Sequence, residues 1–276
     1  MIGGGSWCGD TLCATARQRK IKLMQDRYAG DIGDFGKFVM LKTLMRLSGR
    51  QLRLGINWYH VAMHESGSND GRHTRYLGTS HSSKLFEQCD PASYATLRGI
   101  VNNGKRSILS LEQASILQAN TVFYSRPLPK GIGRFKEREG TRLEWFAQSL
   151  SVLGSSDILF LDPDNGIQTR SAKKAQKQAI KYAFVDELQT YLEQNKIVII
   201  YNHRDRSPVD VYKQRFRDIH SQLRGPVALR VLRFKRVSVR DYLFFHFAQH
   251  SSLVDSLFTT LAAAPYNFLF DEFTLR

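Results

Sequence analysis

Apolar positions recur along this chain with two distinct periods. Between residues 35 and 47 they fall at Phe38, Leu41, Leu44, Met45 and Leu47, the three- and four-residue spacing of a buried helix. Asp34 stands just before that run, where a carboxylate can cap the first turn, and Ser48-Gly49 ends it. Residues 52–61 are rich in apolar and aromatic side chains and read as a strand. Residues 91–102 and 109–118 read as helices and 121–124 as a short strand. Residues 141–153 form a helix pattern with Leu143, Phe146, Leu150 and Leu153 on one face. Residues 157–162 contain the unbroken apolar run Ile158-Leu159-Phe160-Leu161, as expected of a strand covered on both faces in a parallel sheet. The pattern then predicts one long helix over 171–193, a second continuous apolar strand over 196–201 and a helix over 209–223. Residues 227–234 and 242–248 read as two strands joined by a short basic connection, most simply an antiparallel pair.

Strands alternating with helices and closed by a hairpin predict an α/β chain with a mostly parallel, Rossmann-like sheet and a terminal antiparallel strand. Residues 24–276 are expected to form one domain, with no repeat or linker between folded halves. Residues 1–23 show no strong period and are expected to be a disordered leader. Residues 64–83 hold Gly67, Gly71 and Gly78 among histidines and hydroxyls, and read as a long functional loop.

Composition narrows the function classes. The chain has 276 residues, 42% hydrophobic and 24% charged, the balance of an ordinary globular protein. No apolar run approaches the roughly 20 residues of a membrane span, so no membrane partner is expected. Cys8, Cys13 and Cys89 are too few and too odd in number for a disulfide framework, which suits a cytoplasmic protein. Lys and Arg number 40 against 25 Asp and Glu, a formal charge of +15, and most of the surplus lies beyond residue 23. Such a surplus favours an anionic partner, nucleic acid first. Lys173, Lys174, Lys177 and Lys181 share one face of the predicted 171–193 helix, where a phosphate backbone would relieve their repulsion. A plain solvated face is the alternative. Arg204 and Arg206 add cations after the 196–201 strand, and Arg230, Arg233, Lys235, Arg236 and Arg240 crowd the terminal pair.

Ligands of open α/β sheets bind outside the carboxyl ends of strands. Two such ends are unusually polar: Asp162-Pro163-Asp164-Asn165-Gly166 and Asn202-His203-Arg204-Asp205-Arg206. The first is also good turn chemistry. Asp162, Asp164, His203 and Asp205 could converge on a divalent cation that activates water against a phosphodiester. They could equally form an ion-pair network without chemistry. They match no tight metal signature, so no metal ligand is assigned.

From about residue 28 to 261 the chain resembles the class I S-adenosylmethionine-dependent methyltransferases. More closely, it is similar to the bacterial 23S ribosomal RNA adenine-N6 methyltransferases of the RlmJ type. The run Gly30-Asp31-Ile32-Gly33-Asp34-Phe35-Gly36-Lys37 resembles that family's N-terminal turn and helix. Asp162-Pro163-Asp164-Asn165 stands in place of its catalytic Asp-Pro-Pro-Tyr motif. The resemblance implies a nucleic-acid methyltransferase of adenine-N6 type, with S-adenosylmethionine as cofactor and RNA ahead of DNA as substrate. It implies that Asp162, Pro163, Asp164 and Asn165 form the catalytic segment, and that Asp34, Lys37, Asn57, Tyr59 and His60 lie at the cofactor. The sequence departs from the family in three places. Asn57–His64 lacks the acidic, glycine-rich motif, Ser125 stands where an acid would meet the ribose, and Asn165 cannot stack on a base. A stacking face is then expected from Tyr201 or Trp58. A metal-dependent nuclease and a non-catalytic nucleic-acid-binding protein on the same fold remain the alternatives.

Overall fold

Asp31 rather than Asp34 caps the first helix. Its Oδ1 accepts the backbone N–H groups of Gly33 at 2.8 Å and Asp34 at 3.3 Å, so α1 (Ile32–Leu47) begins a turn earlier than the apolar period predicts. Asp34 instead reaches back to accept the N–H of Gly30 at 2.9 Å, which leaves its other oxygen for Lys37. The computed structural model describes residues 25–49, 51–61, 71–128 and 135–276. The expected leader and the first half of the glycine- and histidine-rich loop lie outside the described residues. The second half of that loop is ordered as a short 3-10 turn followed by the start of a helix.

After α1 the elements are β1 (Leu54–Asn57), α2 (His81–Cys89), α3 (Pro91–Asn102), α4 (Ile108–Gln113), β2 (Val122–Tyr124), α5 (Phe135–Leu153) and β3 (Ile158–Leu161). The chain continues through β4 (Gly166–Ile167), β5 (Tyr182–Ala183), α6 (Val185–Leu192), β6 (Ile197–His203) and α7 (Val209–Ser221). It closes with β7 (Ala228–Phe234), β8 (Arg240–His246), α8 (Ser251–Ala262) and β9 (Phe270–Glu272).

Seven strands form one sheet in the order β2-β1-β3-β6-β8-β7-β9. β2, β1, β3 and β6 are mutually parallel, with Asn57 opposite Leu161 and Leu161 opposite Ile200. β8 runs antiparallel between β6 and β7, and β9 adds an antiparallel edge that the sequence pattern did not reveal. The apolar run of β3 explains its central place. Ile158 and Phe160 enter the core shared with α1, α3 and α8, while Leu159 and Leu161 enter the core shared with α5, α6 and α7. All four are fully buried, and each such side chain removed from water contributes roughly 1.5–3 kcal/mol. Helices therefore cover both faces of the sheet. No helix among the described residues is long and apolar enough to cross a membrane.

The predicted 171–193 helix is a correction. Residues 177–181 form a 3-10 turn, 182–183 form β5 beside β4, and only Val185–Leu192 is α-helical. Arginines of α5 take the carbonyls that a helix would use. Arg138 donates to Ala175, and Arg142 donates to Ala179 at 2.9 Å and Tyr182 at 2.8 Å. Arg142 is itself buried against Glu187, 2.6 Å away. The four lysines therefore do not share a helical face. Lys173 and Lys177 are exposed, Lys174 pairs with Asp186 and Glu187, and Lys181 pairs with Asp164 at 2.9 Å.

Candidate active site

The carboxyl end of β3 lies at the middle of the sheet, beside the point where the strand order turns back on itself. β1 is followed outward by β2 on one side and has β3 on the other, and crevices at such switch points are where open α/β sheets bind ligands. Asp162 leaves β3 there. Its N–H donates to the Asn57 carbonyl at 2.9 Å, which ties the ends of β1 and β3 together. Gly166 then turns the chain at φ +103, a conformation L side chains rarely adopt, and a Cβ at that position would collide with Asn202. Asn202 Oδ1 accepts the Ile167 N–H at 3.1 Å, and Asn165 N–H donates to the Lys181 carbonyl at 2.9 Å. The Asp162–Gly166 segment is thus held from three sides.

Beneath it lies a buried charge network. Lys37 Nζ sits 2.7 Å from Asp162 Oδ2 and 3.1 Å from Asp34 Oδ1, over the Tyr201 ring at 4.6 Å. Burial works against the lysine's charge, but the two carboxylates outweigh it and hold Lys37 well above its ordinary value. Asp162 is pushed up to about 6, chiefly by burial, with Lys37 opposing and Asp34 and Asp164 adding to the rise. One ammonium shared by two carboxylates leaves each of them incompletely compensated. Asp31 is raised by burial and by Asp34. Arg240 donates to the Tyr201 hydroxyl, and Gly33 lets the start of α1 approach this pair, since a Cβ there would meet Tyr201 Oη at 3.1 Å and Arg240 Nε at 3.2 Å.

Asp162 is 6% exposed, and among the described residues its Oδ1 accepts no hydrogen bond. It borders a chamber of about 30 Å³ lined also by Tyr28, Asp34, Lys37, Tyr201 and Arg240, room for one water-sized group. Tyr28, Asp164 and His203 also line a larger cleft of about 430 Å³, together with Asn165, Lys181, Tyr182 and Arg215. A cavity of about 710 Å³ sits against the far half of α1, beside Lys42, Arg46, Asp90 and Tyr266. It is larger, but it stands apart from the carboxylates at the strand ends.

The remaining site residues divide. Asn57 and Tyr59 are fully buried, with Tyr59 edge-on to Trp145 at 5.0 Å, so the core takes them both. Trp58 is buried flat against Phe123, and the Tyr201 ring is covered by Lys37. Neither offers the open stacking face expected of it. His60 is buried; its Nδ1 contacts the Ser125 carbonyl at 2.9 Å, and desolvation lowers its pKa. A carbonyl only accepts, so Nδ1 carries the proton and Nε2 is an acceptor, with no donor among the described residues. Glu112 of α4, which sequence spacing did not single out, brings a carboxylate to Trp58 Nε1 at 2.8 Å and to the Ser125 hydroxyl. An acid therefore does stand at the end of β2, supplied from another element. Asp205 is held by Arg204, Ser207 and Arg215, and its pKa is lowered; burial opposes that shift but is outweighed. Arg206 is exposed. Asp162, Asp164 and Asp205 each lean on a different cation, and among the described residues no three His, Cys, Asp or Glu side chains gather as a metal site.

No protein-family model matches the chain, and no curated protein matches it. Among solved structures, a Legionella pneumophila protein described by the family model DUF519 is similar at a TM-score of 0.44 and 11% identity, over 89% of this chain and 97% of its own.

Proposed function

We propose that this protein transfers a methyl group from S-adenosylmethionine to an exocyclic amine of a nucleic-acid base, with adenine N6 as the target and RNA ahead of DNA as the substrate. The observation that carries the reading is that Asp162, held at Oδ2 by Lys37 and with no hydrogen bond to Oδ1 among the described residues, lines a chamber at the switch point of the sheet. An exocyclic amine is a poor nucleophile because its lone pair is shared with the ring. A carboxylate that accepts one of its N–H bonds draws that pair back onto nitrogen, and the backbone carbonyls following Asp162 can accept the other. The Lys37 contact holds Oδ2 in place, which limits how far the carboxylate can move between substrates. Lys37 also keeps Asp162 from rising beyond about 6, which leaves it ionised near neutral pH.

S-adenosylmethionine supplies the electrophilic methyl group when bound. The residues at the ends of β1 and β2 fit such a group at two points. Glu112 can accept from ribose hydroxyls, and the bare Nε2 of His60 can accept from a further donor. Asp34 and Lys37 act one step away, through Asp162, rather than at the cofactor itself. The test is methyl transfer to total RNA from radiolabelled S-adenosylmethionine. Asp162→Ala is expected to lower it by about 100-fold or more, and transfer unchanged in that variant would refute the reading.

A further inference from the structure

The cavity of about 710 Å³ against the far half of α1 takes no part in the methyl-transfer reading. We propose that it binds a small amphipathic monoanion, a short aliphatic chain ending in a carboxylate, with that carboxylate at Arg46. The assignment goes beyond the proposed transfer and does not rest on Asp162.

Charge selects the head group. Lys42 and Arg46 stand one turn apart on α1, and Asp90 is the single acid among the described residues that line the cavity. Asp90 is already satisfied. Lys42 Nζ lies 2.7 Å from its Oδ2, and Ser93 donates to it through its N–H at 3.1 Å and its hydroxyl at 2.6 Å. The Arg46 guanidinium, by contrast, has no ion pair or hydrogen bond to any described residue. The cavity therefore keeps one uncompensated positive charge. A carboxylate meets it with a charge-assisted, two-pronged bond that an alcohol cannot match and an ammonium cannot form. A second carboxylate on the ligand would find no free cation. Gln118 lines the same cavity with its side-chain amide unbonded to any described residue, a further donor for the head group.

The walls select the body. Val39, Met45, Cys89 and Ile116 line the cavity from the core side, and each is less than a tenth exposed. Leu117 and Tyr266 pack half-buried against the same core. Burial pushes the Cys89 thiol up to about 11, and it donates to the Pro265 carbonyl, so it stays neutral and does not compete for Arg46. Apart from the Tyr266 ring the apolar wall is aliphatic or sulfur-bearing, which suits a flexible chain rather than a stacked ring. The core behind these side chains holds them in place, so little ordering is needed on binding. The volume falls within the roughly 300–1,000 Å³ of small-ligand pockets.

The experiment is isothermal titration of the full chain with three probes of one chain length: octanoate, octan-1-ol and octyltrimethylammonium. The proteins are wild type, Arg46→Gln, Ala119→Trp and, as a charge control outside the cavity, Arg224→Gln. Ala119 is an exposed lining residue, so an indole there fills space without entering the core. Wild type is expected to bind one octanoate, at least about tenfold more tightly than octan-1-ol, and to give no measurable heat with the cationic probe. Arg46→Gln should weaken octanoate by about tenfold and leave octan-1-ol unchanged. Ala119→Trp should weaken both, and Arg224→Gln neither. No octanoate binding by wild type at millimolar concentration, several equal sites per chain, or equal affinity for the three head groups overturns the proposal. So does octanoate binding that is unchanged in Arg46→Gln or Ala119→Trp when the variant unfolds at the wild-type temperature. If either variant unfolds early, the head-group comparison on wild type decides alone. Octanoate binding that obeys these rules in a chain that transfers no methyl group sinks the enzymatic reading and leaves this site standing.

Discussion

Lys37 is the residue on which the site balances. Its ammonium is the only described cation in contact with both Asp34 and Asp162. Lys37→Met would leave two buried carboxylates without a counter-charge, a loss of about 3–5 kcal/mol, and urea unfolding should show it. The Asp162 carboxyl, raised from 3.8 to about 6 by burial, has two consequences with opposite signs. The proposed methyl transfer uses the carboxylate form, so its rate should fall as the pH drops through about 6. Stability behaves the other way. The folded state holds this proton more tightly than the unfolded chain, so the contribution of this group is full below 3.8 and is lost as the pH rises through about 6. Unfolding of wild type and Asp162→Asn across that window isolates the effect. At Gly166, where φ is +103 and Asn202 blocks a Cβ, Gly166→Ala should displace the Asp162–Asn165 segment and abolish transfer while the far core stays folded. Tryptophan fluorescence of the folded variant separates the two outcomes. Much of this was legible one residue at a time, as in the Asp-Pro-Asp-Asn run at a strand end. Glu112 was not, because it meets Trp58 across 54 positions and nothing local marks it.

Elements were readable where burial followed a single period. The runs of α1, β3 and β6 announce themselves because both sides of the sheet are covered and every position is apolar or aligned on one stripe. The 171–193 segment misled because alanine, lysine and glutamine favour a helix locally, and that preference was overruled by Arg138 and Arg142 of α5 bonding its carbonyls. Arg142→Ala removes those bonds and strands Glu187 in the core. We expect a loss of about 3–5 kcal/mol, with limited proteolysis opening residues 171–183 first. The stripe Val254, Leu257, Phe258 and Leu261 of α8 carries a helical period that the sequence reading passed over.

For the molecule as a whole, the sheet order places three polar strand ends, the start of α1 and a basic β6 loop at one edge. The surplus of cations at +15 is not gathered on one helix as the sequence pattern suggests, since Lys174 and Lys181 pair with Asp186 and Asp164. Charge alone pointed to an anionic partner, whereas which cations are already held by acids could be read only from the pairings. The central proposal is that Asp162 directs methyl transfer to an exocyclic amine of a nucleic-acid base. The most direct measurement is incorporation of label from S-adenosylmethionine into single-stranded RNA, followed by digestion and identification of the modified nucleoside. The account predicts N6-methyladenosine with the wild-type protein and none with Asp162→Ala. Label that persists in Asp162→Ala, or no incorporation by the wild-type protein at saturating donor, would contradict it.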